Sequence, residues 1–237
     1  MKKIFIAVIG CLAVLSFSNR GIAATPYFST HLGMSWLNDA GSDSVYGVEY
    51  AGYSEKLSFD SGIGIIGACG YDFGAARLEA EIGYQLNRLE TYNQAIEGSA
   101  TARNADGDIS ILSLMMNSGY DFTIKGTGIT PYITAGIGVA QINIDDLAVD
   151  SPEPEGKYEV AYSESLMQGR IGGITSAGTI HENTLAYQFG AGIGIPLGNN
   201  LTIDGRYRYF ATSDFTVSGT NVSLSSNTLL LGLRMEF

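Results

Sequence analysis

Eight stretches of this chain alternate apolar and polar residues with a period of two. They cover approximately residues 26–37, 58–73, 75–89, 108–124, 129–144, 184–197, 201–211 and 223–237. Successive side chains leave a strand on opposite sides, so this period predicts strands with one apolar face. In the last run Leu229, Leu231, Leu233, Met235 and Phe237 share one face, opposite Thr228, Leu230, Gly232, Arg234 and Glu236. The seventh sets Leu201, Ile203, Gly205, Tyr207 and Tyr209 against Thr202, Asp204, Arg206 and Arg208. The third sets Leu78, Ala80, Ile82, Tyr84 and Leu86 against Arg77, Glu79, Glu81, Gly83, Gln85 and Asn87. In the fifth and sixth runs the non-apolar face carries Gly136, Gly138, Gly190, Gly192 and Gly194 instead.

The connections alternate in length. Phe73-Gly74, 125–128 and 196–200 are short and rich in Gly and Asn, as tight turns require. Between them lie polar segments at roughly 38–57, 90–107, 145–183 and 212–222. Short turns therefore gather at one end of the sheet and long loops at the other. Eight antiparallel strands joined up-and-down give this pattern, and an even number returns both termini to the short-turn end.

Alternation alone fits a soluble barrel with an apolar lumen or a membrane barrel with an apolar exterior. Four features favour the second. The polar face carries few lysines, and Lys56, Lys125 and Lys157, the only ones after residue 24, all lie outside mid-strand. Aromatic residues gather near strand ends, among them Phe28, Trp36, Tyr71, Phe73, Tyr120, Phe122, Tyr187, Tyr207 and Phe237, where two lipid–water girdles would form. The chain ends on an aromatic in an apolar-outward strand. The turns are short at one end only. Hydrocarbon cannot satisfy a free strand edge, so the eighth strand must pair with the first.

Residues 1–24 read as a secretory signal peptide. Lys2 and Lys3 precede an apolar run from Ile4 to Leu15, and Ile22-Ala23-Ala24 offers a small-residue cleavage site. Residues 25–237 then form the barrel. Cleavage removes Lys2, Lys3 and Arg20 and takes the formal net charge from −11 to −14. That balance argues against a nucleic-acid partner. The chain has two cysteines, Cys11 and Cys69, too few for a zinc knuckle or an iron–sulfur site, so no cofactor is expected. With Cys11 removed, Cys69 is expected as an unpaired residue on the lipid face beside Ile63 and Ile65.

The sequence resembles the small outer-membrane β-barrel superfamily of Gram-negative bacteria, which includes the transmembrane domain of outer membrane protein A and the opacity-type surface proteins. Three segments carry the resemblance: Pro131-Tyr132 followed by Ala135-Gly136-Ile137-Gly138-Val139, Phe189-Gly190-Ala191-Gly192-Ile193-Gly194, and the closing Leu231-Gly232-Leu233-Arg234-Met235-Glu236-Phe237. It implies an all-β, eight-stranded, antiparallel transmembrane barrel. It also implies that the barrel-assembly machinery reads Phe237, and that outer-membrane lipid and lipopolysaccharide surround the chain. Members serve as envelope structural proteins, adhesins, surface antigens or narrow pores. The periplasmic domain that follows the barrel in outer membrane protein A is not expected after the eighth run, so its function is not carried over.

With polar faces inward, Arg77, Arg206, Arg208 and Arg234 meet Glu79, Glu81, Asp204 and Glu236 in the half nearer the short turns. Eight strands leave room only for side chains, so these charges are expected to pair, as a structural plug or as a gate. His31 also points inward, with Arg234 and Glu236 as its expected neighbours. The only other histidine is His181, beside Glu182 in the third loop, and no motif frames a nucleophile near either one. No enzyme is expected. The third loop holds eight acids against Lys157 and Arg170, and its length marks it as a surface-recognition element for a host or surface ligand. The favoured reading is a surface protein of the outer membrane. A small channel and a lipid-modifying enzyme are the alternatives.

Overall fold

A computed structural model describes residues 24–42, 44–45, 48–49, 53–96, 99–124, 126–149, 180–217 and 220–237. Eight antiparallel strands form the barrel: β1 Thr25–Leu37, β2 Gly62–Asp72, β3 Ala76–Ile96, β4 Ser99–Asp121, β5 Thr130–Val149, β6 Ile180–Pro196, β7 Leu201–Thr212 and β8 Ser225–Glu236. Each pairs with its neighbour in sequence, and β8 closes the sheet onto β1 from Tyr27↔Glu236 to Leu37↔Ser226.

The register fixes the width. One row starts at Tyr27 and crosses Gly70, Glu79, Asn117, Gly136, Gln188, Phe210 and Ser226. It returns to β1 at Leu37, ten residues further along. With eight strands and ordinary strand spacings, that stagger corresponds to a tilt of about 40° and a backbone radius of about 8 Å. Such a lumen holds one layer of converging side chains.

The short turns lie at one end. Between β2 and β3, Gly74 takes a φ of +95° and donates its amide to Asp72 Oδ1 at 2.6 Å, while Phe73 N bonds Ala76 O. At the other end the strands outrun the alternation. The segment 90–107, expected as a loop, is mostly ladder: β3 runs on to Ile96 and β4 begins at Ser99, past a register shift between Arg88 and Thr91. Within 38–57, Ala40–Ser42 pairs with Tyr53–Phe59, which pairs with β3 in turn. Within 212–222, Phe215–Val217 pairs with Thr220–Val222. Beyond the bilayer both faces of a strand meet water, so the backbone ladder persists without the apolar face that betrays it in sequence. Most of the third loop, 150–179, lies outside the described residues.

The apolar face is outside. Leu32 is 61%, Ile137 73% and Leu231 66% exposed, whereas the inward Glu81 is 0% and His31 1% exposed. Rings flank this band: Tyr71–Phe73 and Tyr120–Phe122 toward the turns, Trp36 and Tyr207 toward the loops. Cys69 is disulfide-bonded, not the unpaired residue expected; the chain's other cysteine, Cys11, lies outside the described residues.

Candidate functional site: a filled barrel interior

The interior has two halves of opposite character. Toward the loops, the inward positions carry Leu37, Ile109, Ile111, Met115, Ala140, Ile142, Ala186, Phe210 and Leu224 in one apolar cluster. The sequence places charges in the half nearer the short turns and does not reveal this apolar half. At such positions alternation alone does not tell an inward apolar side chain from a slip in the pattern.

Toward the turns, the lumen is polar and its centre is Glu81. One carboxylate oxygen accepts from Gln188 at 3.1 Å and Arg208 Nη1 at 3.2 Å. The other accepts from Asn117 at 2.9 Å and Arg206 Nη1 at 3.2 Å. Glu79 accepts from Tyr27 and Asn117, each at 3.0 Å, and lies 3.6 Å from Arg206 Nη1. Arg206 Nε donates to the Tyr132 hydroxyl at 3.2 Å, and that hydroxyl donates to Asp204. Arg77 pairs with Asp121 at 2.7 Å and lies 4.5 Å from the Tyr132 ring centre. Arg208 stacks on Phe210 at 5.0 Å, joining the charged half to the apolar one. Between the halves, Ser35, Gln85, Asn87 and Ser226 bond to one another.

Charges buried in so narrow a space are costly unless paired and hydrogen-bonded. Arg77, Arg206, Arg208 and Arg234 are matched in number by Glu79, Glu81, Asp121 and Asp204, all less than a tenth exposed. Glu236 is different. Its side chain is 30% exposed at the rim and stands 3.8 Å from Arg234 Nε. Asp121 takes the interior place expected for Glu236.

His31 bonds Asp204 at 3.0 Å, not Arg234 or Glu236. The reason is Gly232. The register places it directly between His31 on β1 and Asp204 on β7. With no side chain on the intervening strand, the two flanking groups meet across it. The same device recurs three times. Tyr27 reaches Glu79 across Gly70, Asn117 meets Gln188 across Gly136, and Arg206 reaches Tyr132 across Gly192. A Cβ at any of these four glycines would overlap the side chain that crosses it. Much of the glycine on the inward face is thus space for hydrogen bonds between next-nearest strands.

Asp121, Tyr132, Asn117 and Gln188 are the participants the sequence reading missed. Each lies on the inward register of its strand; Tyr132, Asn117 and Gln188 come into view once polar, uncharged residues are counted with the ionised ones, and Asp121 by its place on the polar face of the fourth run. Among the described residues no group of three His, Cys, Asp or Glu is arranged to hold a metal.

Residues 6–237 match the family described as outer membrane protein beta-barrel domain. The chain belongs to that family. It is an outer-membrane protein of the Gram-negative envelope, in contact with the lipid there. It is similar to outer membrane protein PagN of Salmonella typhimurium, 24% identical over 259 residues and covering 100% of each chain. Among solved structures it resembles Neisserial surface protein A, at 16% identity and a TM-score of 0.52, covering 91% of this chain and 99% of that one. Outer membrane protease OmpT of Escherichia coli aligns at 10% identity and a TM-score of 0.48, covering 90% and 97%.

Proposed function

We propose that this barrel is a closed scaffold whose work is done by its extracellular loops, in attachment to a host or surface ligand, and that it is neither a pore nor an enzyme. The observation that carries the reading is the doubly filled lumen. An ion network occupies one half and an apolar cluster the other, so the described residues offer no through-path of hydrated side chains. The interior histidine is engaged by Asp204, and no nucleophile contacts it among the described residues. The long ladders of β3 and β4 raise their connection well clear of the lipid band, and the acids of the third loop are placed between β5 and β6.

Excising residues 150–179 tests the loop reading. The barrel should still assemble, and cells carrying it should lose attachment to the surfaces that the intact protein binds. Unchanged attachment by the excised form refutes the proposal. The leader at 1–24 and the reading of Phe237 by the assembly machinery belong to the same proposal. The intact mass of protein extracted from the outer membrane tests the leader: a chain beginning at Thr25 is expected, and one that retains residues 1–24 refutes it.

A further inference from the structure

On the outward face of β1, β8 and β7, at the loop-side edge of the apolar band, polar groups replace aliphatic ones. Asn227 follows Leu229 and Leu231 on the outward register of β8, and those two leucines are 58% and 66% exposed. Two residues of strand separate Asn227 from Leu229, a rise of about 7 Å. An amide facing outward at this level marks where hydrocarbon gives way to headgroups, since an unsatisfied amide in hydrocarbon is costly.

Asn227 is flanked in register by Trp36 on β1 and Tyr209 on β7. Directly opposed residues bring their Cβ atoms to about 5 Å, so the two rings and the amide form one continuous row. A hydrogen-bonded chain holds it. Tyr207 OH donates to Asn227 Oδ1 at 2.5 Å, Asn227 Nδ2 donates to Asn38 Oδ1 at 3.1 Å, and Asn38 Nδ2 donates to Ser225 Oγ at 2.8 Å. Each amide nitrogen carries a second hydrogen, and the Ser225 hydroxyl hydrogen is uncommitted in this chain of bonds. The row therefore offers fixed neutral donors beside two aromatic faces.

We propose that this row is a docking surface for the sugar headgroup of an outer-leaflet glycolipid, held through ring hydroxyls and aromatic stacking and not through its phosphates. The inference rests on the outer-membrane placement and is independent of the scaffold reading. Sugar hydroxyls are donors and acceptors on a ring whose C–H faces suit aromatic planes. Phosphates call for arginine or lysine. Among the described side chains the one cation facing outward toward the loops is Arg88, and it stands opposite Asp108 at 3.8 Å. Among the described side chains the row itself therefore offers neutral donors and aromatic faces and no cation.

Trp36 is the only tryptophan in the chain, so its emission reports on this row directly. Purified lipopolysaccharide added to the detergent-solubilised barrel should shift Trp36 emission. Phosphatidylglycerol micelles should not, and the lipopolysaccharide response should survive both high salt and a chelator. Glycolipid co-purifying with Asn227→Leu should fall by about tenfold relative to the unaltered barrel, with Ile137→Leu on the far side as the control. A response abolished by chelator or salt would overturn the proposal in favour of phosphate bridging. Equal responses to both lipids, or undiminished retention by Asn227→Leu, would overturn it outright. The emission experiment uses the unaltered protein and stands even if the variant fails to fold.

Discussion

Replacing Glu81 by Gln removes the negative charge on which two arginines converge. Arg206 keeps Glu79 at 3.6 Å, but Arg208 has no other carboxylate among its described contacts and is left with the Phe210 ring. Glu81 is 0% exposed, so water does not screen the loss. Breaking one side of a buried ion pair costs about 3–5 kcal/mol, and the Glu79 contact places Glu81→Gln near the lower end, about 3 kcal/mol. In urea titration of the refolded barrel in lipid vesicles, with a slope of about 2–3 kcal/mol/M, the midpoint should fall by about 1–2 M. Adding Arg208→Met removes the stranded charge, so the double variant should recover more than half of the loss while Arg208→Met alone is destabilising. A loss under about 1 kcal/mol for Glu81→Gln, with no coupling to Arg208, would refute the reasoning, because it is the response of an exposed, screened pair.

Two other expectations concern assembly. Gly136→Ala places a methyl group where Asn117 reaches Gln188, and should lower stability by about 1–3 kcal/mol in the same titration; an unaffected midpoint would remove the spacing role assigned to the inward glycines. Deleting Phe237, which is 69% exposed at the end of β8, should lower the outer-membrane yield of the chain while leaving refolding in detergent intact; equal yields would remove its role as an assembly signal.

The strands and their faces were legible because a bilayer imposes the simplest of patterns. Lipid demands apolar side chains at every second position, and Leu229 to Phe237 or Leu78 to Leu86 show it without interruption. The charged residues of the lumen were legible for the same reason, as charges on the face away from lipid. Their partners were not. Alternation places Arg77 and Asp204 on a face but carries no register, and Gly232 lets His31 pass its immediate neighbour to reach Asp204. Asp121 was hidden near the end of the fourth run, where only a few residues separate it from the turn at 125–128. The apolar cluster of Ile109, Ile142 and Phe210 was hidden because an inward apolar residue has the same composition as an outward one. The extended ladders of β3 and β4 were read as loops because a strand in water on both faces needs no alternation.

The central claim is that the lumen is filled and the barrel closed. Single-channel recording of the refolded protein in a planar bilayer, beside Arg206→Ala, tests it most directly. The account predicts silence from the unaltered barrel once its folding has been verified. Steady openings whose conductance changes with Arg206→Ala would contradict it, and would make the interior charges the wall of a pore.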